Sequence, residues 1–546
     1  MKKYANAIPV GVVKLRRIGC IGLLLLIGCA FCLDVFHGIE LGQDRVAFHP
    51  IYRLRQSLAV AISRMHDPSP GRYLAYKSVV NVLNENGFAL LDDEPGSHLD
   101  ATGWAALLSD GTRLDRIIQQ AIDVPIDASL QPEIIQANEL GLADYIYFSF
   151  RLFGDKISSL YYFFYLVAGL TCLFYVLQFR NSPFLLFLLV VFLGELHFLE
   201  NYAHSFDQNT VSNSRLFSGL SLVPALHILL LLWQRRPPRA FTVTAAIVQS
   251  VIFAFLLSCR TELAWQVAMI AVVACGIGLS LLLRRRDAKH RLIDLAPLWP
   301  AAIFLLVVFA YSAAVSMSAD QRYAMEPKGH IVWHEVMIGL LRSSLELRRE
   351  YLGGAPLGSD DGEVYTAVIH DLNARNDFSS PIVRRLGDGQ LTIDLMRGWA
   401  EYDRLVRSLV LRIIRDHPLV LFETVPVKIR QQIAMYDMPF EYGMRLSDLQ
   451  APIIWIAAGA LICMAAGGFA VGAAMLGSAA GVIAIVLLFS AATPLVEPSA
   501  LSIGTLFSYL GALAILPPYA AMLLIWAIVG TKSKTEGISL GAESLR

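Results

Sequence analysis

Long apolar runs alternate with two long polar blocks along this chain. The runs fall at residues 18–33, 158–178, 183–200, 216–233, 240–258, 263–283, 295–316, 452–470, 471–492 and 503–529. Each has roughly the 17–25 residues a helix needs to cross a hydrocarbon core of ~30 Å, where every backbone N–H and C=O must be paired within its own segment. The pattern predicts an all-α polytopic membrane protein with about ten transmembrane helices and two mainly helical extracytoplasmic blocks. The divisions are a cytoplasmic N-terminus (1–17), a first span (18–33), a first outer loop with surface-lying helices (34–157), a bundle of six spans (158–316), a second outer domain (317–450), three further spans (451–529) and a cytoplasmic tail (530–546).

Charge fixes the orientation. Lys2, Lys3, Lys14, Arg16 and Arg17 precede the first span, and Leu26-Ile27-Gly28-Cys29 within it resembles a lipoprotein cleavage box. The many spans that follow favour a retained signal anchor. Arg180, Arg235/Arg236/Arg239, Arg284/Arg285/Arg286/Lys289/Arg291 and Lys532/Lys534 all fall in alternate connections, as the positive-inside bias requires. Both termini are then expected in the cytoplasm of a bacterial inner membrane. The turn near Gly467-Gly468 carries no anchoring charge, which leaves eight or nine spans open.

Within the blocks the period is helical. Ile51, Leu54, Leu58, Ile62 and Met65 form a stripe, with Arg53, Arg55 and Arg64 off it; such a helix lies on a membrane surface or packs on the block's own core. Tyr73–Leu83 is a second helix, stopped by Asn84-Glu85-Asn86-Gly87, and Leu114, Ile117, Ile118, Ala121 and Ile122 mark a third. In the second block Trp399, Tyr402, Leu405, Val406, Leu409, Val410, Ile413 and Ile414 make a wide stripe closed by Asp416-His417-Pro418, and Leu419–Ile433 starts another helix. Gly353–Gly362 and Asp377–Gln390 read as loops.

Composition agrees: 16% charged residues against about 25% in soluble proteins. A net charge of zero with no dense basic tract gives no sign of a nucleic-acid partner. All seven cysteines lie in or beside apolar runs, so the polar blocks hold no disulfides and depend on packing.

Ionisable groups at membrane depth are costly and so mark candidate chemistry. Glu195, His197, Glu200 and His204 crowd one short outer connection, with Arg215 beyond it. They form either a polar wall able to hold a phosphate or a wet loop with one buried Glu–His pair. Arg260 sits on the outer side against the charge bias and needs a partner, either Glu262 or a substrate phosphate. His330 and His334, four apart on one face, suit a metal with a third ligand or a hydrogen-bonding cluster. Asp34, Glu40 and Asp44 follow the first span.

Asn138-Glu139-Leu140-Gly141-Leu142-Ala143-Asp144-Tyr145, Phe150-Arg151-Leu152-Phe153-Gly154 and the aromatic span after Ser158 resemble GT-C-type glycosyltransferases, as does a late outer domain carrying His417-Pro418 and Lys428. The resemblance covers architecture over most of the chain. It implies transfer of a sugar from a polyprenyl-phosphate donor to a glycan or lipid acceptor, with inversion. An acid early in the first outer loop would be the general base: Asp44 or Glu40, with Asp34 third. Arg215, Arg260, Arg322 and His204 would face the leaving phosphate, with a divalent metal as a further way to stabilise it. The Asp-Glu pair of such loops is absent here. Two other readings compete: an O-antigen polymerase or ligase using His330, His334, Arg322 and Arg342, and a non-enzymatic envelope assembly or transport protein. The unequal halves, broken only at Pro517-Pro518, argue against a transporter.

Overall fold

The computed structural model describes residues 10–44, 48–66, 73–88, 90, 111–134, 139–182, 185–190, 192–193, 215–235, 237–283, 296–321, 332–353, 360–385, 391–393, 399–420, 423 and 427. The expected spans at 452–470, 471–492 and 503–529 lie outside these residues.

The first helix, α1 (Val10–Asp44), is one unbroken rod of 35 residues. Its stretch Arg17–Phe36 is long and apolar enough to cross a membrane. Cys20, Leu23, Ile27 and Asp34 form its buried stripe, while Ile18, Leu25, Leu26, Leu33 and Phe36 face outward. That division is what a lone helix leaning on a bundle within lipid requires.

The first polar block follows as α2 (Phe48–Ser63), α3 (Lys77–Glu85) and α4 (Gly111–Asp123). Leu58, Ala59, Val60, Ala61 and Ile62 are all buried, as are Arg55, Ser57 and Ser63. Over Arg55–Ser63 the described part of α2 is therefore buried on nearly every side, packed into the protein's core. The α3 helix starts four residues later than its apolar period suggested. Tyr73 takes φ +70° and Ala75 pairs with Glu133 in a short antiparallel bridge, which draws that stretch out into extended chain. It stops as expected: Gly87 takes φ +91°, and the Asn84 carboxamide oxygen accepts from the Leu90 N–H at 2.8 Å. Leu114, Ile117, Ile118 and Ala121 are the buried face of α4.

Helix α5 (Leu140–Phe153) leads through Gly154, at φ +96°, into the span α6 (Ser159–Phe179). Then come α7 (Arg215–Leu220), α8 (Leu222–Gln234), α9 (Ala240–Cys259), α10 (Ala264–Leu283) and α11 (Trp299–Ser318). Among the described residues five helices are long and apolar enough to cross a membrane: α1, α6, α9, α10 and the stretch Ala296–Ser318 that contains α11; the shorter α8 is also apolar. The core of the first block is continuous with that of the bundle. Tyr145 of α5 meets Phe163 of α6 and Phe217 of α7 at ring distances of 5.4 and 5.0 Å.

The second block has its own core. It comprises α12 (Val332–Ser343), α13 (Leu345–Leu352), α14 (Asp360–Arg375), the two-stranded antiparallel pair β1 (Val383–Arg385) and β2 (Leu391–Ile393), and α15 (Trp399–Asp416). Tyr402, Val406, Leu409, Val410 and Ile413 are fully or nearly fully buried, the stripe that the sequence places on α15. Asp371 of α14 ties the lobe together by accepting from Arg375 at 2.5 Å and from Arg412 of α15.

Candidate functional site

The first block meets the bundle along α5. Glu139, extended and buried just before the helix, accepts the Thr261 backbone N–H at 2.9 Å. Gly141, the second residue of the helix, is pressed against Ser258, and its carbonyl accepts from the Cys259 thiol at 3.3 Å. Arg260 is buried between them in sequence, in the turn joining α9 to α10. This junction therefore holds a guanidinium and a carboxylate out of water where α9 ends and α10 begins. The Glu262 side chain, the partner expected for Arg260, lies outside the described residues; the carboxylate that reaches this turn is that of Glu139.

Above α5 a second ionic group closes the contact. Asp144, fully buried, accepts from Arg64 at the end of α2 and from the Tyr73 hydroxyl at 2.8 Å. The Arg64 guanidinium also stacks on Tyr147 at 4.1 Å, and Arg151 approaches the same ring at 5.6 Å. The loop from α5 to α6 is held by Asp115 of α4, whose carboxylate accepts the Ile157 N–H at 2.9 Å. Burial raises the Asp115 pKa against that hydrogen bond and the nearby Lys156. Burial also lifts Asp155, against the pull of Arg151.

The bundle carries a polar cluster of its own. The Gln249 amide of α9 donates to the Thr171 carbonyl of α6 at 2.9 Å and lies 3.4 Å from His227 Nδ1 of α8. All three residues are fully buried.

The sequence-derived candidates are dispersed. Asp34 is 2% exposed within its span, in electrostatic reach of Cys172 of α6, while Phe31 closes on Gly169 beside it. Its carboxyl is enclosed at the contact between α1 and α6. Glu40 and Asp44 stand on the last turns of α1, on a helix rather than the loop expected, and Arg215 opens α7; their side chains lie outside the described residues. Glu195, His197, Glu200, His204, Arg322 and His330 also lie outside them. His334 is buried in the second lobe, where Nδ1 is 2.6 Å from the Tyr402 hydroxyl and Tyr365 packs on both rings. It is a member of a hydrogen-bonding cluster. Among the described residues no three His, Cys, Asp or Glu side chains converge to hold a metal.

Glu139, Asp144, Arg64 and Tyr73 were not singled out beforehand. A signal existed, since Asp144 is an acid within an apolar helical run, a position that requires a buried partner. Neither a family model, nor a curated protein, nor a solved structure matches this chain.

Proposed function

We propose that this membrane protein is a GT-C-like glycosyltransferase, moving a sugar from a polyprenyl-phosphate donor to an envelope glycan or lipid acceptor at the outer face. One observation supports it above the others. Arg260 is a buried cation at the junction of the first polar block with the end of α9 and the start of α10, which the topology proposed from the charge bias puts on the outer side. A guanidinium held out of water at lipid depth suits the charge that develops on a departing lipid phosphate, since preorganised charge in a poorly solvated site stabilises such a transition state strongly. An acid on the last turns of α1, Asp44 or Glu40, takes the acceptor hydroxyl proton as the oxygen attacks the anomeric carbon. The bond to phosphate breaks, and the configuration inverts.

The O-antigen polymerase reading gains nothing from His334, whose Nδ1 is occupied inside the second lobe's core. The test is glycan and lipid analysis of cells carrying Arg260→Ala, Glu40→Gln or Asp44→Asn beside a deletion strain. Arg260→Ala and one acid variant should lose the product that the deletion loses, with the protein still in the membrane. If all three keep it, the sugar-transfer reading falls, and a non-enzymatic envelope role takes its place.

A further inference from the structure

We infer that α5 lies in the membrane interface, with Phe148, Leu152 and Phe153 immersed in phospholipid and Arg151 set to meet the headgroup phosphates. The inference is independent of the sugar-transfer reading. It starts from how the two ends of the helix are tied. At its N-terminal end, Gly141 touches Ser258 in the last turn of α9 and Glu139 receives the N–H of Thr261 in the turn that follows. One turn further on, the Tyr145 hydroxyl donates to the Leu160 carbonyl at 2.5 Å, and just past the helix's C-terminal end Ser159 Oγ, at the start of α6, donates to the Gly154 carbonyl at 2.5 Å. A helix of 14 residues is about 21 Å long, shorter than the ~30 Å membrane core. Its two ends therefore meet α6 and α9 at one face of the bundle, and the helix runs along the plane where those spans emerge.

Two of its sides are covered. Asp144, held by Arg64 and Tyr73, faces the first block, while Tyr145 packs on Phe163 and Phe217 of the bundle. The large apolar side chains left exposed in its C-terminal half are Phe148, Leu152 and Phe153, at 40, 59 and 41%. Phe153 packs on Tyr162 and Phe148 on Phe163 of α6 at ring distances of 5.7 and 6.4 Å, and the same span exposes Leu166, Leu170 and Leu173. Arg151, exposed next to Leu152, stacks on Tyr147 at 5.6 Å and lies in electrostatic reach of Asp155. Large apolar side chains with an arginine at bilayer level are the composition of an interfacial helix, the stem buried and the charge reaching the phosphates.

The test uses the full-length protein in lipid nanodiscs, with single tryptophans introduced by Leu152→Trp and Phe148→Trp. Leu166→Trp on α6 is the lipid-facing control and Leu130→Trp, in an exposed turn of the first block, the aqueous control. The wild-type emission of the eight native tryptophans is subtracted. Brominated phospholipid should remove most of the added emission at 152, 148 and 166 and little at 130, and acrylamide should do the reverse. Arg151→Glu in the Leu152→Trp background should reduce the lipid quenching at 152. Quenching at 152 by acrylamide alone would put these side chains in water. Quenching by neither agent would mean that protein covers them. Either result overturns the inference, as does an Arg151→Glu variant whose quenching is unchanged.

Discussion

Gly141 of α5 and Ser258 of α9 approach so closely that a methyl group at 141 would stand 2.2 Å from the Ser258 hydroxyl and 2.4 Å from its carbonyl carbon. The second distance involves backbone, which cannot rotate aside. Gly141→Ala should therefore push α5 off the end of α9 and lower stability by about 1–3 kcal/mol, the usual range for overpacking. The Cys259 thiol bond to the Gly141 carbonyl and the Glu139 contact with Thr261 would loosen together. Thermal unfolding in detergent checks this. Gly22→Ala on α1, where an added Cβ meets nothing within 4 Å, is the matched control and should leave the midpoint almost unchanged.

The second lobe should lose stability in acid. Asp377 accepts from the Ser379 hydroxyl at 2.7 Å and from its N–H, and these bonds hold its carboxyl below the ordinary 3.8. Glu401 is held below 4.5 chiefly by Arg404, with Ser380 assisting at 2.9 Å. A carboxyl depressed in the folded state contributes stability that is complete above its unfolded pKa and disappears as the pH falls through the folded one. Asp403 acts in the opposite sense: burial raises its pKa against Arg407, so its protonation on acidification favours the fold. The first two outweigh it in number, so stability should be level above about pH 5 and decline below pH 4. Tryptophan emission followed against pH reports on the lobe through Trp333, beside Arg407, and Trp399. Glu401→Gln should flatten the acid limb, and an unchanged curve would refute the assignment.

Local periodicity made much of this fold legible. The α15 stripe, the α4 stripe, the Asn84–Gly87 stop and the apolar spans all depend on contacts within a few turns, which the order of residues states directly. What it could not state was which neighbour each face would meet. The arginines of α2 read as solvent-seeking, yet Arg55 is buried and Arg64 is engaged by Asp144, some 80 residues further on. Asp34 read as the end of a span because charge usually marks a boundary, but α1 carries it into the contact with α6. Arg260 stood out by breaking the charge rule, while nothing local to Glu139 marks it as reaching the same turn. Long-range pairing of polar groups is invisible to a period count.

The Arg64–Asp144 pair allows that pairing to be weighed. Asp144 has no exposed surface, and Arg64 keeps 14%. Removing one partner of a buried pair leaves the other charge without compensation and costs about 3–5 kcal/mol, whereas replacing both by apolar groups is often nearly neutral. Arg64→Met should therefore be strongly destabilising and Asp144→Leu similarly so, while the double variant should recover much of the loss. Tyr73 complicates the recovery, because its hydroxyl also donates to Asp144 at 2.8 Å, so the triple variant with Tyr73→Phe should recover most. Arg64→Lys separates charge from shape: it keeps the cation but loses the flat stack on Tyr147 at 4.1 Å, and should cost about 0.5–1 kcal/mol. Unfolding midpoints for the whole cycle decide the matter. Additive single and double losses would mean that the two residues act separately, and that α5 is held to α2 by apolar packing alone.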